Sequence, residues 1–300
     1  MPYLLLPLYS LHTKNGRNDI NLKIGLAEWG FRDYPLEEHF KLSYDLGASY
    51  LEIGCGNESD IHRLPKNPSI NQIIELNRLI QKYGINPSFG AIDGGYSIED
   101  QSQLEQLINN QKVKLKALSQ LGVRVVRIFS SWTPLDEMNE LKWNNMLSAL
   151  NELDEFAAKK GMKLAIETHG NVQHYGVGQI HLPNITTDYL SLERLINKLP
   201  PNTGILFDPG NLRIVVERPL KDYVDLLNDH IISCHIKDWK QNSDGSWTAV
   251  AIGDTDYDWA PIFKRMKYDD VGLIEYEITS DVIEGMQKSI NYLKSIGFEM

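Results

Sequence analysis

Cysteine is almost absent: 300 residues carry two, Cys55 and Cys234, both in strand-like runs. That excludes a disulfide framework and fits a reduced, cytoplasmic protein. Long hydrophobic runs are absent too. None approaches the ~20 apolar residues of a membrane span, so no membrane partner is expected. The opening MPYLLLPLYSLH is apolar, but it has no basic start, is broken by Pro7 and precedes no small-residue cleavage site. We expect no secretory leader there and read residues 1–21 as an N-terminal extension covering one end of the domain. Positive charge is in deficit, with 30 Lys and Arg against 40 Asp and Glu and a net charge of −10. A nucleic-acid partner would favour the opposite balance. There is no G-x-G-x-x-G turn, no linker and no low-complexity tract, which argues for one domain over 1–300 and against a dinucleotide-binding fold.

What is present is a beat. Gly47, Gly84, Gly122 and Gly161 stand 37, 38 and 39 residues apart, each closing an amphipathic stretch and preceding a short run of Val, Ile, Leu or Phe. A glycine so placed ends a helix in the left-handed conformation. Before Gly84, Ile70, Ile73, Ile74 and Ile80 keep the helical period, and Ser69 offers an N-cap. SIED at Ser97–Asp100 reads as a capping box for the next helix. Extending the beat gives eight strands, at 24–29, 50–54, 86–90, 124–129, 163–167, 204–208, 231–237 and 272–277, with helical patterns between them. Strands alternating with helices make a parallel sheet, and eight such units make an α/β (β/α)8 TIM barrel over 22–300. A doubly wound sheet is the alternative. A solenoid fits worse, because the loops differ in length.

In such a barrel the working groups sit at the C-terminal strand ends. The last four strands end in Glu167 (AIETHG), Asp208 (LFDPGN), His235 (CHIKDW) and Glu275 (LIEYEI). Three carboxylates and an imidazole suit one hard or borderline divalent ion, Mn²⁺ first, with Co²⁺, Mg²⁺ or Zn²⁺ as alternatives. The strand period of two puts His169 on the face of Glu167, Lys237 on that of His235 and Glu277 on that of Glu275. Cys234 and Ile236 then face the helices. A lone strand-end acid is usually a solvated rim residue, and D-P-G-N alone is usually a turn. Four in succession are harder to read that way.

The ordered pieces AIETHG, LFDPGN, CHIKDW, AIGDTDYDW and LIEYEI resemble the sugar phosphate isomerase/epimerase family, the xylose isomerase-like barrels, over roughly residues 22–296. The resemblance implies that Glu167, Asp208, His235 and Glu275 are metal ligands, and that Glu167 and Glu275 are also the acid/base pair. Glu277 is the rival for the last ligand position. Asp254-Thr255 depart from the family's G-x-G-D, so the loop after the seventh strand is expected to close differently. Glu52 matches a family acid that supports the site, with an ion pair to Arg127 as the plain alternative. Trp29, Trp132, Trp239 and Asn211 are read with Glu52 as substrate contacts, and Lys237 and His169 as groups that neutralise or protonate a hydroxyl.

The expected chemistry is proton abstraction α to the carbonyl of a ketose or keto-polyol, through an enediolate that a divalent ion stabilises. The same first step serves a dehydratase or a lyase acting on a keto-sugar or keto-glycoside. A remote alternative is an endonuclease IV-like nuclease. It would need three metals and more histidines, and here none occurs between His62 and His169. A non-catalytic sugar-binding subunit would have no need of two metal-bound acids. With no glycine-rich phosphate cradle late in the barrel, an unphosphorylated small sugar or polyol is expected. A homodimer is a fold-level expectation only.

Overall fold

The computed structural model describes residues 19–216 and 218–300. Most of the proposed extension, 1–18, lies outside these residues. Its end does not: Ile20 is buried and packs into the core. In chain order the strands are β1 (Lys23–Leu26), β2 (Tyr50–Cys55), β3 (Asn86–Ile92), β4 (Val125–Ile128), β5 (Lys163–Glu167), β6 (Asn171–Tyr175), β7 (Gly178–Leu182), β8 (Thr203–Phe207), β9 (Ile231–Ile236), β10 (Asp238–Gln241), β11 (Trp247–Val250) and β12 (Val271–Ile274). Eight of them close a parallel barrel in the order β1-β12-β9-β8-β5-β4-β3-β2. These are the eight expected from the beat. The strand TGILF of β8 is buried at every residue, as parallel strands covered on both faces are.

The glycine rhythm holds. Gly47, Gly84, Gly122 and Gly161 have φ of 80°, 62°, 89° and 73°, a conformation a Cβ would penalise. Ser69 caps the helix Ile70–Tyr83 with a reciprocal Gln72 contact. The next cap differs from expectation. Asp100, not Ser97, caps the helix Gln101–Ser119 by accepting from Gln103 N at 3.0 Å. Ser97 is occupied elsewhere: its hydroxyl bonds Ser131 and Thr133 at 2.6 and 2.7 Å.

A second sheet was not foreseen. It is four-stranded and antiparallel, in the order β10-β11-β7-β6. The hairpin β6–β7 follows β5 where a helix was expected, and the hairpin β10–β11 follows β9. Trp247 of β11 pairs with Gln179 of β7, and the Asp244 carboxylate in one turn accepts from Val177 N in the other at 3.0 Å. Both hairpins leave C-terminal strand ends, so the sheet rises over the working face of the barrel. Among the described residues no helix is long and apolar enough to cross a membrane.

His39 gives the fold a testable acid sensitivity. It is buried, stacks on Phe31 with ring centroids 4.4 Å apart, and burial pushes its pKa from 6.5 down to about 3. The unfolded chain therefore takes a proton near pH 6.5 that the folded chain refuses until about pH 3. Stability falls as pH drops through that window. His39→Phe is expected to flatten this limb by up to about 1.4 kcal/mol per pH unit. Urea unfolding at a series of pH values reads the slope, and an unchanged slope would count against the assignment.

Candidate active site

Glu167 ends β5, Asp208 follows β8, His235 lies in β9 and Glu275 follows β12. One ligand atom from each lies within 4.8 Å of all the others, and all four residues are buried. Glu277 is outside this group. The pleat of β9 sends Cys234 and Ile236, both fully buried, away from the His235 side.

Each side chain is held from behind. Asp208 is the N-cap of the helix Pro209–Val215, its Oδ1 accepting from Asn211 N at 2.8 Å. The Asn211 amide donates to Asp208 Oδ2 at 3.0 Å and to Glu167 Oε1 at 3.1 Å. Asn211 is thus a clamp on two acids and does not line the cavity, a correction to its reading as a substrate contact. Glu52 is corrected in the same way. Its Oε1 lies 3.2 Å from His235 Nε2. Arg127 instead reaches Glu28, Asp93 and Glu167, at 3.7, 3.3 and 3.7 Å. With Nε2 directed at Glu52, His235 Nδ1 faces the acids, 3.4 Å from Glu275 and 3.8 Å from Glu167. That Nδ1 is buried without a hydrogen-bond partner. A ring nitrogen with no hydrogen-bond partner, among three buried acids, completes the donor set a divalent cation takes up.

The electrostatics agree. Burial, with repulsion from Glu275, pushes Glu167 up to about 7, and burial pushes Asp208 up to about 6. Burial acts on Glu275 in the same sense, but Lys237 and His235 outweigh it and hold that carboxyl well below its usual range. Burial therefore opposes ionisation of Glu167 and Asp208, and added positive charge favours it. Lys237 supplies part of that charge: its Nζ lies 3.2 Å from Asp208 and 2.9 Å from Glu277, and it pairs closely with Glu275. The His169 Nδ1–H donates to Gly170 O at 2.5 Å, leaving Nε2 as an acceptor. Burial and Lys237 lower its pKa, so the ring is neutral.

These groups form one end of a cavity of about 760 Å³ whose wall includes Glu167, Glu275, Lys237 and His169. Trp29 and Trp132 also line it. The guanidinium carbons of Arg32 and Arg63 lie 5.0 and 5.3 Å from the Trp29 ring. Trp239 does not line it. It is 1% exposed and sits behind His181, their rings 5.2 Å apart. The strand β10 carries it under the second sheet, which the single-strand reading of CHIKDW did not anticipate. Asp238 of that stretch is an anchor, accepting from Arg213 at 2.5 Å, Thr255 at 2.7 Å and Trp259 Nε1 at 3.1 Å. The departure at Thr255 thus closes its loop onto Asp238.

Among the cavity-region residues that escaped the sequence reading, three form a charged group on the β1–β3 side. Glu28, after β1, is fully buried and accepts from Arg63 Nε at 2.7 Å, with His62 Nε2 2.8 Å away. Asp93, after β3, takes Arg63 at 2.5 Å and Arg127 at 3.3 Å, and its side chain is 44% exposed to the cavity. The strand-end rule that found Glu167 and Glu275 would have found both acids had it been applied to the first four strands. Arg63 lies in a loop and had no signal.

Residues 40–296 match the model of the xylose isomerase-like TIM barrels. The chain belongs to this family. An inosose dehydratase of Lactiplantibacillus plantarum is 26% identical over 142 residues, 42% of each chain, so the match spans less than half of that relative. The barrel superposes on D-allulose 3-epimerase from Methylomonas sp. in complex with D-allulose, with a TM-score of 0.72, 14% identity and coverage of 92% and 98% of the two chains. For 3-keto-D-glucoside 4-epimerase from E. coli the values are 0.68, 16%, 91% and 99%. A probable 3-DHS dehydratase from Bacillus anthracis gives 0.71, 15%, 91% and 99%. At these identities the superpositions establish the shared fold.

Proposed function

We propose that this family member is a divalent-metal-dependent sugar isomerase or epimerase acting by proton abstraction next to the carbonyl of a ketose or keto-polyol. The observation that carries this is the buried Glu167, Asp208, His235 and Glu275 cluster with its orphaned His235 Nδ1. Those four would hold the ion, Mn²⁺ by preference among hard and borderline cations, which would polarise the carbonyl and make the neighbouring C–H acidic. In the barrel order β12-β9-β8-β5, Glu275 and Glu167 flank the cluster from its two sides. One takes the proton from carbon, and the other returns one to the opposite face or to the next carbon. The Nε2 of neutral His169 accepts from a substrate hydroxyl, and Lys237 donates to one. The cavity wall carries four cations (Arg32, Arg63, Arg127, Lys237) and four acids (Asp93, Glu167, Glu275, Glu277), a balance that favours an uncharged sugar.

The likeness to inosose dehydratase supports a second reading, in which loss of a β-hydroxyl follows the same proton abstraction. One experiment addresses both. Metal-loaded protein in D2O is offered a panel of ketoses and keto-inositols, and NMR follows carbon-bound hydrogen. Deuterium uptake is expected in the wild type and is lost in Glu167→Gln and Glu275→Gln. Uptake with carbon skeleton and oxygen count retained supports the isomerase. Loss of water assigns the dehydratase. No uptake across the panel would sink both.

A further inference from the structure

The cavity is larger than one ring requires. At roughly 30 Å³ per water-sized heavy atom, about 760 Å³ holds about two dozen such atoms, against about a dozen in a hexose. The cavity reaches along the hairpin of the second sheet. Beyond His169 the wall continues as Asn171, Gln173 and His174 of β6 and Gln179 of β7, with Trp132 beside them. Three of these are amides, each of which both donates and accepts, which suits hydroxyls better than an anion. The side chains of Gln173 and His174 make no hydrogen bond among the described residues, while the Asn171 side chain donates to Trp132 O at 3.0 Å and that of Gln179 to His181 at 3.1 Å. Trp132, 42% exposed, adds an apolar surface for a sugar's C–H groups. The wall is also fixed in place. β6 pairs with β7 along its whole length, and β7 is tied to β11 and to the Asp244 carboxylate.

We propose that this hairpin wall is a second substrate subsite and that the physiological substrate is a keto-sugar carrying a second, uncharged sugar ring. The first ring sits at the acid and histidine cluster, and the second is received by His174 and Gln179, which share one face of the hairpin, and by Trp132. The assignment of the first ring rests on the proposed function, but the subsite itself requires no reaction.

Calorimetric titration of the metal-loaded protein with cellobiose, sucrose and trehalose, beside glucose and fructose, tests it without turnover. At least one disaccharide is expected to bind about tenfold tighter than either of its component sugars. The double variant His174→Ala/Gln179→Ala, altered on the one face of the hairpin with unchanged Tm as the check on folding, is expected to erase that advantage. No advantage for any disaccharide, including no detectable binding, overturns the proposal, and so does an advantage that survives the double variant. The two readings separate cleanly. Deuterium uptake on a simple ketose without a disaccharide advantage removes the subsite and leaves the enzyme. A disaccharide advantage without uptake does the reverse.

Discussion

Asp208→Asn is expected to lose the divalent ion while keeping the fold. Asn retains an oxygen to accept from Asn211 N, the 2.8 Å cap of the helix Pro209–Val215. Asp208→Ala would remove that cap as well, at about 1 kcal/mol. What Asn cannot supply is the second anionic oxygen, which receives the Asn211 amide at 3.0 Å and Lys237 at 3.2 Å. Losing a group that merely orients a ligand already weakens metal binding about 10–100-fold. Removal of a ligand's charge is therefore expected to cost at least about a hundredfold in affinity and about a thousandfold or more in deuterium uptake. Elemental analysis after reloading with Mn²⁺ reads about one ion per chain in the wild type and close to none in the variant. Equal occupancy in both would mean that the ion, if bound, is held elsewhere.

The barrel was legible because its rules are local. A glycine after four of the helices, a run of aliphatics after each of those glycines and a ligand-type residue at the ends of the last four strands together specify the β/α alternation, with no long-range pairing to guess. The four buried ligand-type residues were legible for the same reason: strand ends in a barrel converge by topology. The second sheet was not, although its turns were written in the sequence. Tyr175-Gly176-Val177-Gly178 and Ser243-Asp244-Gly245-Ser246 are hairpin signals. The expectation of a helix after each barrel strand overrode them. That single omission misplaced Trp239, hid the Asn171–Gln179 wall and left the purpose of Asp238 unexplained. Glu52 and Asn211 show a different limit. Their types, and their places in or just after barrel strands, marked them as belonging to the site, but whether a side chain touches substrate or the ligand in front of it depends on depth, which spacing does not encode.

Lys237→Met separates the charge the chain supplies from the charge an ion would supply. Lys237 is 4% exposed, and its ammonium faces Asp208, Glu275 and Glu277. Without it, the metal-free protein keeps these carboxylates in a buried pocket with no lysine to offset them. Breaking a buried pair from one side costs about 3–5 kcal/mol. At about 2–4 °C per kcal/mol for a chain of this size, Tm should fall by roughly 6–20 °C when a chelator is present. The sign with pH follows from Glu275. Burial tends to raise its pKa, but Lys237 and His235 hold it well below 4.5 in the folded wild type, so its contribution is full above about 4.5 and fades below. The gap between variant and wild type is therefore widest near neutrality and narrows in acid. Mn²⁺ at millimolar concentration should close most of it, because the ion brings the missing charge to the same acids. The rise in Tm on adding metal is accordingly larger in Lys237→Met than in the wild type. A variant that is destabilised equally with and without metal would place Lys237 outside the influence of any ion bound at the cluster, and a variant as stable as the wild type would mean the acids are neutralised by protons rather than by Lys237.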